Sequence, residues 1–138
     1  MKNSNIISNY LKKQNHLNWK INSCDNERFS NIIVIPVIEE FANIGKLVNS
    51  LCANNFEKIN KTLVLFVINN KKSSANIIKN DNFKSINFIK NLIEINDSFL
   101  KFGFIDCGSA GKELPEKDGG VGLARKIGMD LALSHFDY

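Results

Sequence analysis

Three short apolar runs constrain this chain more than any other feature. NIIVIP, over 31–36, is a continuous β-branched segment stopped by proline. KTLVLFVINN follows over 61–70, and FLKFGFIDCGSAG over 99–111 ends in a glycine-rich loop. A strand with no polar alternation is covered on both faces, the condition of a parallel strand inside an α/β sheet. The segments between them have helical period. In EEFANIGKLVNSLCANN (39–55), Phe41, Ile44, Leu47, Val48 and Leu51 recur at three-and-four spacing and make one apolar face. Glu39 and Glu40 are expected in the first turn of that helix, where negative charge suits the dipole. In FKSINFIKNLIEIN (83–96) the period runs through Phe83, Ile86, Ile89 and Ile93, and a last helix begins near Gly120. Ile6, Ile7, Tyr10, Leu11 and Leu17 suggest a short amphipathic helix within 5–20, and 22–30 reads as a polar loop.

Strands alternating with helices predict parallel pairing through right-handed crossovers. The expected fold class is therefore α/β: a Rossmann-like parallel sheet of three strands with flanking helices. A length of 138 residues suits one domain, with an N-terminal helix and loop over 1–30 and the sheet over 31–138. Such sheets bind ligands beyond the carboxyl ends of their strands. That rule selects the loops 36–40, 69–74 and 106–122.

Charge and cysteine use narrow the function classes. The net charge of +4 is spread along the chain without a run of five like charges, so no nucleic-acid partner is expected. Cys24, Cys52 and Cys107 are far apart, and neither His16 nor His135 stands at ligand spacing from them. Three reduced thiols fit a cytoplasmic protein better than a disulfide or metal framework. No stretch approaches the length of a membrane span, and the first residues lack the form of a signal peptide.

Two phosphate motifs nearly match, and both fail. The dinucleotide fingerprint would place Gly120 and Gly122 correctly, but its third glycine is Arg125. For a P-loop, Gly111-Lys112 is followed by Glu113, and the earlier glycine is Asp106. What remains is a flexible entry at Gly119, Gly120 and Gly122, a helix N-terminus, and the cations Arg125 and Lys126. Free N–H groups and the helix dipole attract anions there, and a guanidinium matches phosphate oxygens bidentately. The same residues also read as a plain loop with a surface arginine.

Three segments together resemble family 2 glycosyltransferases of the GT-A fold. IIVIPVIEEFANIGKLVNSL is similar to that family's V-I-P-x-Y-N-E-x-x-N-I-x-x-L-x-x-S-L, through Val34, Ile35, Pro36, Glu40, Asn43, Ile44, Leu47, Ser50 and Leu51. TLVLFVINN resembles its second strand. GGVGLARKIGMDLAL resembles its G-x-x-x-A-R-N-x-G-x-x-x-A helix, through Gly120, Ala124, Arg125, Gly128 and Ala132. The resemblance implies a nucleotide-diphosphate-sugar donor held by Pro36, Val37, Glu39 and Glu40, by Asn69 and Asn70, and by Gly120, Gly122, Arg125 and Lys126. It also implies Mg²⁺ or Mn²⁺ in the full-length enzyme.

Departures from the family pattern bear on that reading. Ile38-Glu39 replaces Tyr-Asn, and Asn69-Asn70 replaces the acidic pair that contacts the base and ribose. Lys126 stands where asparagine is common. The polar loop 107–119 reads either as a cover over a ligand or as an ordinary surface insertion. The Asp-x-Asp motif that binds the metal in the family follows the Ala-Arg helix, and no such pair occurs here. The expectation is a nucleotide-binding N-terminal part, inactive alone, of a larger transferase. It carries an open sheet edge that another copy pairs, that the N-terminal helix covers, or that is sticky. A non-catalytic α/β nucleotide-binding or regulatory module is the alternative, as is a GT-like scaffold without activity.

Overall fold

The computed structural model describes residues 2–23, 27–53, 61–95 and 100–138. Its elements, in chain order, are α1 (Lys2–Gln14), β1 (Ile21–Asn22), β2 (Asn31–Val37), α2 (Phe41–Cys52), β3 (Thr62–Asn69), α3 (Asn76–Ile95), β4 (Leu100–Cys107) and α4 (Val121–Ala132). A single 3-10 turn, Leu133–His135, continues α4. The expected Rossmann-like α/β architecture is present.

The sheet order is β1-β4-β3-β2. β2 and β3 run parallel, with Val34 opposite Leu65, and β3 and β4 run parallel, with Phe66 opposite Phe104. Every residue of β3 is buried, as its unbroken apolar run requires. Alternation then divides it between two cores. Val64, Phe66 and Ile68, with Phe102 and Phe104 of β4, pack under Ile44 and Val48 of α2 and Ile86 and Ile89 of α3. Leu63, Leu65 and Val67, with Ile105 and Cys107, pack against Ala124 and Ile127 of α4. Each fully buried large side chain contributes about 1.5–3 kcal/mol.

This division records a reversal in the winding. β2, β3 and β4 are laid down side by side in one direction, with α2 and α3 on one face. The chain then crosses to the other face, and α4 returns beneath β3 and β2. Gly128 permits that crossing. A Cβ there would lie 2.5 Å from Val34 Cγ1 and 2.8 Å from Val67 Cγ2, closer than carbon atoms approach. The helix backbone therefore rests directly on the sheet.

Several expectations need correction. The sheet has four strands, not three, because Ile21 and Asn22 pair antiparallel with Ile105 and Phe104. The stretch read as a polar loop is thus partly sheet, and it also contains Phe29, which is buried. Phe29 donates its N–H to the His135 carbonyl at 2.7 Å and accepts from the Asp137 N–H at 2.8 Å. α2 begins at Phe41, so Glu39 and Glu40 precede its first turn rather than occupy it. Glu39 takes a left-handed φ of 53°, which turns the chain off β2, and Glu40 is the N-cap. α3 begins seven residues before Phe83, at Asn76, in a turn whose Ile77 is exposed and supplies no apolar face. Residues 54–55, 96 and 99, given above to helix and strand ends, lie outside the described residues, as does Cys24.

α1 packs on the outer side of α4 through one buried carboxylate. Asp130 accepts from Tyr10 Oη at 2.9 Å and Lys126 Nζ at 2.5 Å, and pairs with His16 Nε2 at 2.8 Å. Lys126 also reaches Gln14 Oε1 at 2.8 Å. Burial of the Asp130 carboxyl opposes its ionisation, but the hydrogen bonds from Lys126, His16 and Tyr10 outweigh that and hold it below the usual carboxylate value. Its hydrogen bond to Asp130 holds the Lys126 ammonium above the usual lysine value. The N-terminal helix is therefore spent on α4 and does not cover the outer edge of β2. Among the described residues, no strand besides β3 pairs with β2.

Candidate functional site

The direction of α4 decides whether the predicted site residues can meet. Its trailing end runs into the 3-10 turn, and His135 and Asp137 bond to Phe29, just before β2 begins. That is the amino end of the strands. The leading end of α4, with Gly120 and Gly122, therefore lies at the carboxyl rim, beside the segment that leaves β2. The carboxyl rim at a reversal of winding is where doubly wound sheets take their ligands.

The loop before α4 is built rather than loose. The Asn70 N–H bonds the Cys107 carbonyl at 3.3 Å, and the Leu114 N–H returns to the Asn70 carbonyl at 3.0 Å, with Leu114 buried as an anchor. Asp106 Oδ1 accepts from the N–H groups of Gly108 and Ser109 at 3.0 and 2.9 Å. Glu116 accepts from the Ser73 hydroxyl at 2.6 Å and the Ser73 N–H at 2.8 Å, which joins the loops after β3 and β4. The Ser73 hydroxyl, then its N–H, holds the Glu116 carboxyl below the usual range.

Asn82 of α3 organises the rim, and the sequence reading did not single it out. Its Oδ1 accepts from the Glu39 N–H at 3.0 Å, and its Nδ2 donates to the Asn69 carbonyl and to Asn70 Oδ1, both at 3.0 Å. One buried amide thus fastens the turn after β2 to the end of β3. Asn69 and Asn70 are themselves 3% and 2% exposed. Asn69 Nδ2 donates to the carbonyls of Val37 and Val67, and Asn70 Nδ2 to those of Lys71 and Gly108. A Cβ on Gly108 would fall 2.3 Å from Asn70 Oδ1, so the glycine is required by that seat. The donors that a base edge would need are thus spent inside the protein.

The remaining predicted residues divide. Val37 is buried in the α2–α3 core and Pro36 is half-buried within β2, so the backbone after them, not their side chains, forms the rim. Glu39 and Glu40 are exposed there, with Glu40 Oε2 accepting from Asn43 Nδ2 at 2.8 Å. Arg125 is exposed and has no hydrogen bond or ion pair among the described residues. Lys126 turns away to Asp130 and Gln14 and does not join Arg125.

Two helix N-termini meet the rim, and they differ. At α2, the Phe41 N–H already bonds the Asp81 carboxylate at 3.0 Å, so a protein anion holds that position. At α4, the Ala124 N–H bonds the Gly120 carbonyl at 2.9 Å. The three preceding N–H groups, of Val121, Gly122 and Leu123, have no partner outside the helix among the described residues. Built Cβ atoms on Gly120 and Gly122 meet nothing within 4 Å, so the approach to this end is open.

Metal and thiol chemistry find little support in these residues. No three of His, Cys, Asp and Glu come together among the described residues, so the divalent ion that the resemblance implies has no ligand set here. Burial, then the charge of Asp106, pushes the Cys107 thiol up to about 12, far from a nucleophile at neutral pH. No helix of the described residues is long and apolar enough to cross a membrane.

The chain matches no family model, no curated protein and no solved structure. Its likeness to family 2 glycosyltransferases rests on the sequence motifs alone.

Proposed function

We propose that this chain binds the nucleotide-diphosphate-sugar donor of a family 2-like glycosyltransferase at the carboxyl rim of its sheet. One observation carries the reading. The reversal of winding brings the open N-terminus of α4, with an Arg125 that has no partner among the described residues, to the carboxyl rim of the sheet. A diphosphate suits that place, because oriented N–H groups and a free guanidinium both recognise its oxygens. Glu39 and Glu40 are exposed in the segment that leaves β2, where carboxylates accept from ribose or sugar hydroxyls. The base is the least determined part, since Asn69 and Asn70 hold their amides inside. In this reading the residues described here bind the donor. Transfer needs a metal and an acceptor-side base that they do not bring together.

The alternative is a non-catalytic nucleotide-binding or regulatory module. The replacement of the family's acidic pair by two buried asparagines favours it. Calorimetry with UDP-, GDP- and dTDP-sugars tests both. Donor binding predicts a preference among the three and a loss of about tenfold in Arg125→Ala, the worth of one charge-assisted contact. Lys126→Ala is expected to bind as the parent does. Indifference to all three nucleotides would remove the transferase reading. Binding of the nucleoside diphosphate as tightly as its sugar conjugate would favour the module.

A further inference from the structure

The strap between β4 and α4, residues 108–120, is held in two halves by unequal means. Its first half is anchored. Leu114 is 2% exposed in the core under α4, its N–H bonds the Asn70 carbonyl at 3.0 Å, and it bridges to Lys71. Trp19 Nε1 donates to the Lys112 carbonyl at 2.7 Å. The second half, 115–119, is exposed except at Gly119. Gly119 packs back on that half itself, where a Cβ would lie 2.0 Å from the Pro115 carbonyl oxygen. Among the described residues, one side chain hydrogen-bonds this half to the rest of the protein. It is Glu116, on the hydroxyl and N–H of Ser73 at 2.6 and 2.8 Å. Lys71 and Lys79 add a smaller attraction for its carboxylate.

The direction of that tie matters. Ser73 lies in the loop from β3 to α3, and α3 packs on the opposite face of the sheet from α4. The tie therefore draws the strap toward α3 and leaves the end of α4 open, where built Cβ atoms on Gly120 and Gly122 meet nothing within 4 Å. The same half carries Lys117, which is exposed and has no hydrogen bond or ion pair among the described residues. It stands four positions before Val121, the first residue of α4. That length of chain spans at most about 14 Å, so its ammonium reaches the helix end. Asp118, at a left-handed φ of 63°, and the pair Gly119-Gly120 lie between them. A few loop residues of this kind suffice to absorb the backbone change of a hinge.

We propose that residues 115–119 are a flap, held back by Glu116 on Ser73 and poised to fold over an anion at the open end of α4, with Lys117 as the closing cation. The latch itself does not depend on the function proposed for the rim, whereas closure on a phosphate rests on it. Latching and closure exclude each other, because Glu116 cannot stay on Ser73 while the flap moves to α4. The latch thus lowers the fraction of molecules competent to close, and weakens the apparent affinity for the anion by that fraction. A fixed wall has the opposite property, since cutting its tie would only loosen the site.

Two measurements on the full chain test it: nitrogen-15 relaxation, and calorimetry with pyrophosphate, which carries the charge of the diphosphate without base or sugar. In the parent, backbone order parameters at Lys117 and Asp118 should lie near the rigid value of about 0.85. In Glu116→Ala and in Ser73→Ala they should fall below about 0.6, with Leu114 unchanged. Pyrophosphate should bind both variants severalfold more tightly than the parent. Ser73→Ala is the deciding one, because it removes the hydroxyl contact and leaves the Glu116 charge in place, so that a gain there is not mere relief of repulsion. Adding Lys117→Ala to either variant should abolish the gain. A flap that stays rigid in both variants would overturn the proposal and leave the rim reading standing. So would pyrophosphate binding that is unchanged or weaker in Ser73→Ala, or a gain that survives Lys117→Ala. Absence of pyrophosphate binding in every form would overturn closure together with the rim reading.

Discussion

At the scale of single residues, the rim depends on one amide. Asn82 satisfies the part-buried Glu39 N–H and, in the interior, the Asn69 carbonyl and Asn70 Oδ1. Removing it leaves buried polar groups without partners, which costs about 1–3 kcal/mol for each one that water cannot reach. Asn82→Ala is therefore expected to lower stability by at least about 2 kcal/mol, read as the midpoint of urea unfolding. Asn82→Asp should do similar damage, because a carboxylate cannot donate to Asn69 and Asn70. A substitution that left the midpoint unchanged would mean that the rim does not depend on this residue. Sequence pattern alone hid Asn82. In a chain rich in asparagine it stands among Asn76, Asn80 and Asn87, and nothing in the period of the helix separates the tying residue from those around it. Asn69 and Asn70, by contrast, were legible as residues at the end of a strand. Their inward orientation was not, because it is set by Val37, Gly108 and Asn82, which lie 32, 38 and 12 residues away.

Between elements, the least ordinary contact is the carboxylate that seats α1 on α4. Asp130 lies below its usual value of 3.8 when folded, so its contribution is fully present above that pH and lost as pH falls through the folded value. Lys126 lies above its usual 10.5, so its contribution is fully present below that pH and lost as pH rises through the folded value. α1 should hold to α4 evenly between these limits and loosen on acidification below pH 3.8. Amide exchange across α1, followed by NMR from neutral pH downward, checks the direction. In Asp130→Asn the acid transition should vanish, with α1 loosened at every pH; an α1 as protected in that variant as in the parent would refute the role. The elements themselves were unequally legible. β2, β3 and β4 stood out because a strand buried on both faces needs an unbroken apolar run, and β3 has one along its whole length. β1 did not, since two residues have no period to read. The start of α3 escaped because its first turns, with Asn76, Lys79 and Asn80, contain little apolar pattern. The seat of α1 was beyond sequence reading, for it joins Tyr10 to a residue 120 positions away.

For the molecule as a whole, the outer edge of β2 is the edge that no strand pairs among the described residues. Natural sheets protect an edge by charge, by shortness, by bulges or by cover. β2 has seven residues and no charged one, and its single proline, Pro36, stands next to its last position. The side chains around it are apolar too. Ile33 is 41% exposed on the strand, and Leu47 is exposed on α2, which meets Phe88 of α3 through Phe41. On the other face Val121 and Met129 of α4 are exposed in one stripe with Arg125, on a different side of the helix from the Lys126 and Asp130 that hold α1. An edge of this kind is self-complementary across a two-fold axis, because antiparallel pairing of β2 with its copy satisfies outward N–H and C=O groups on both. The expected state is therefore a dimer whose sheet runs continuously through two copies. Ile33→Lys places a charge on the strand that would pair, and should yield a monomer with unchanged circular dichroism, as sedimentation equilibrium at about 100 μM would report. A parent chain that is monomeric at that concentration would count against the pairing, as would a dimer that survives Ile33→Lys. The rim should be indifferent to the change, because Arg125 and the open end of α4 lie at the carboxyl ends of the strands whereas Ile33 lies near the start of β2. Loss of nucleotide binding together with the dimer would instead mean that the second copy completes the crevice.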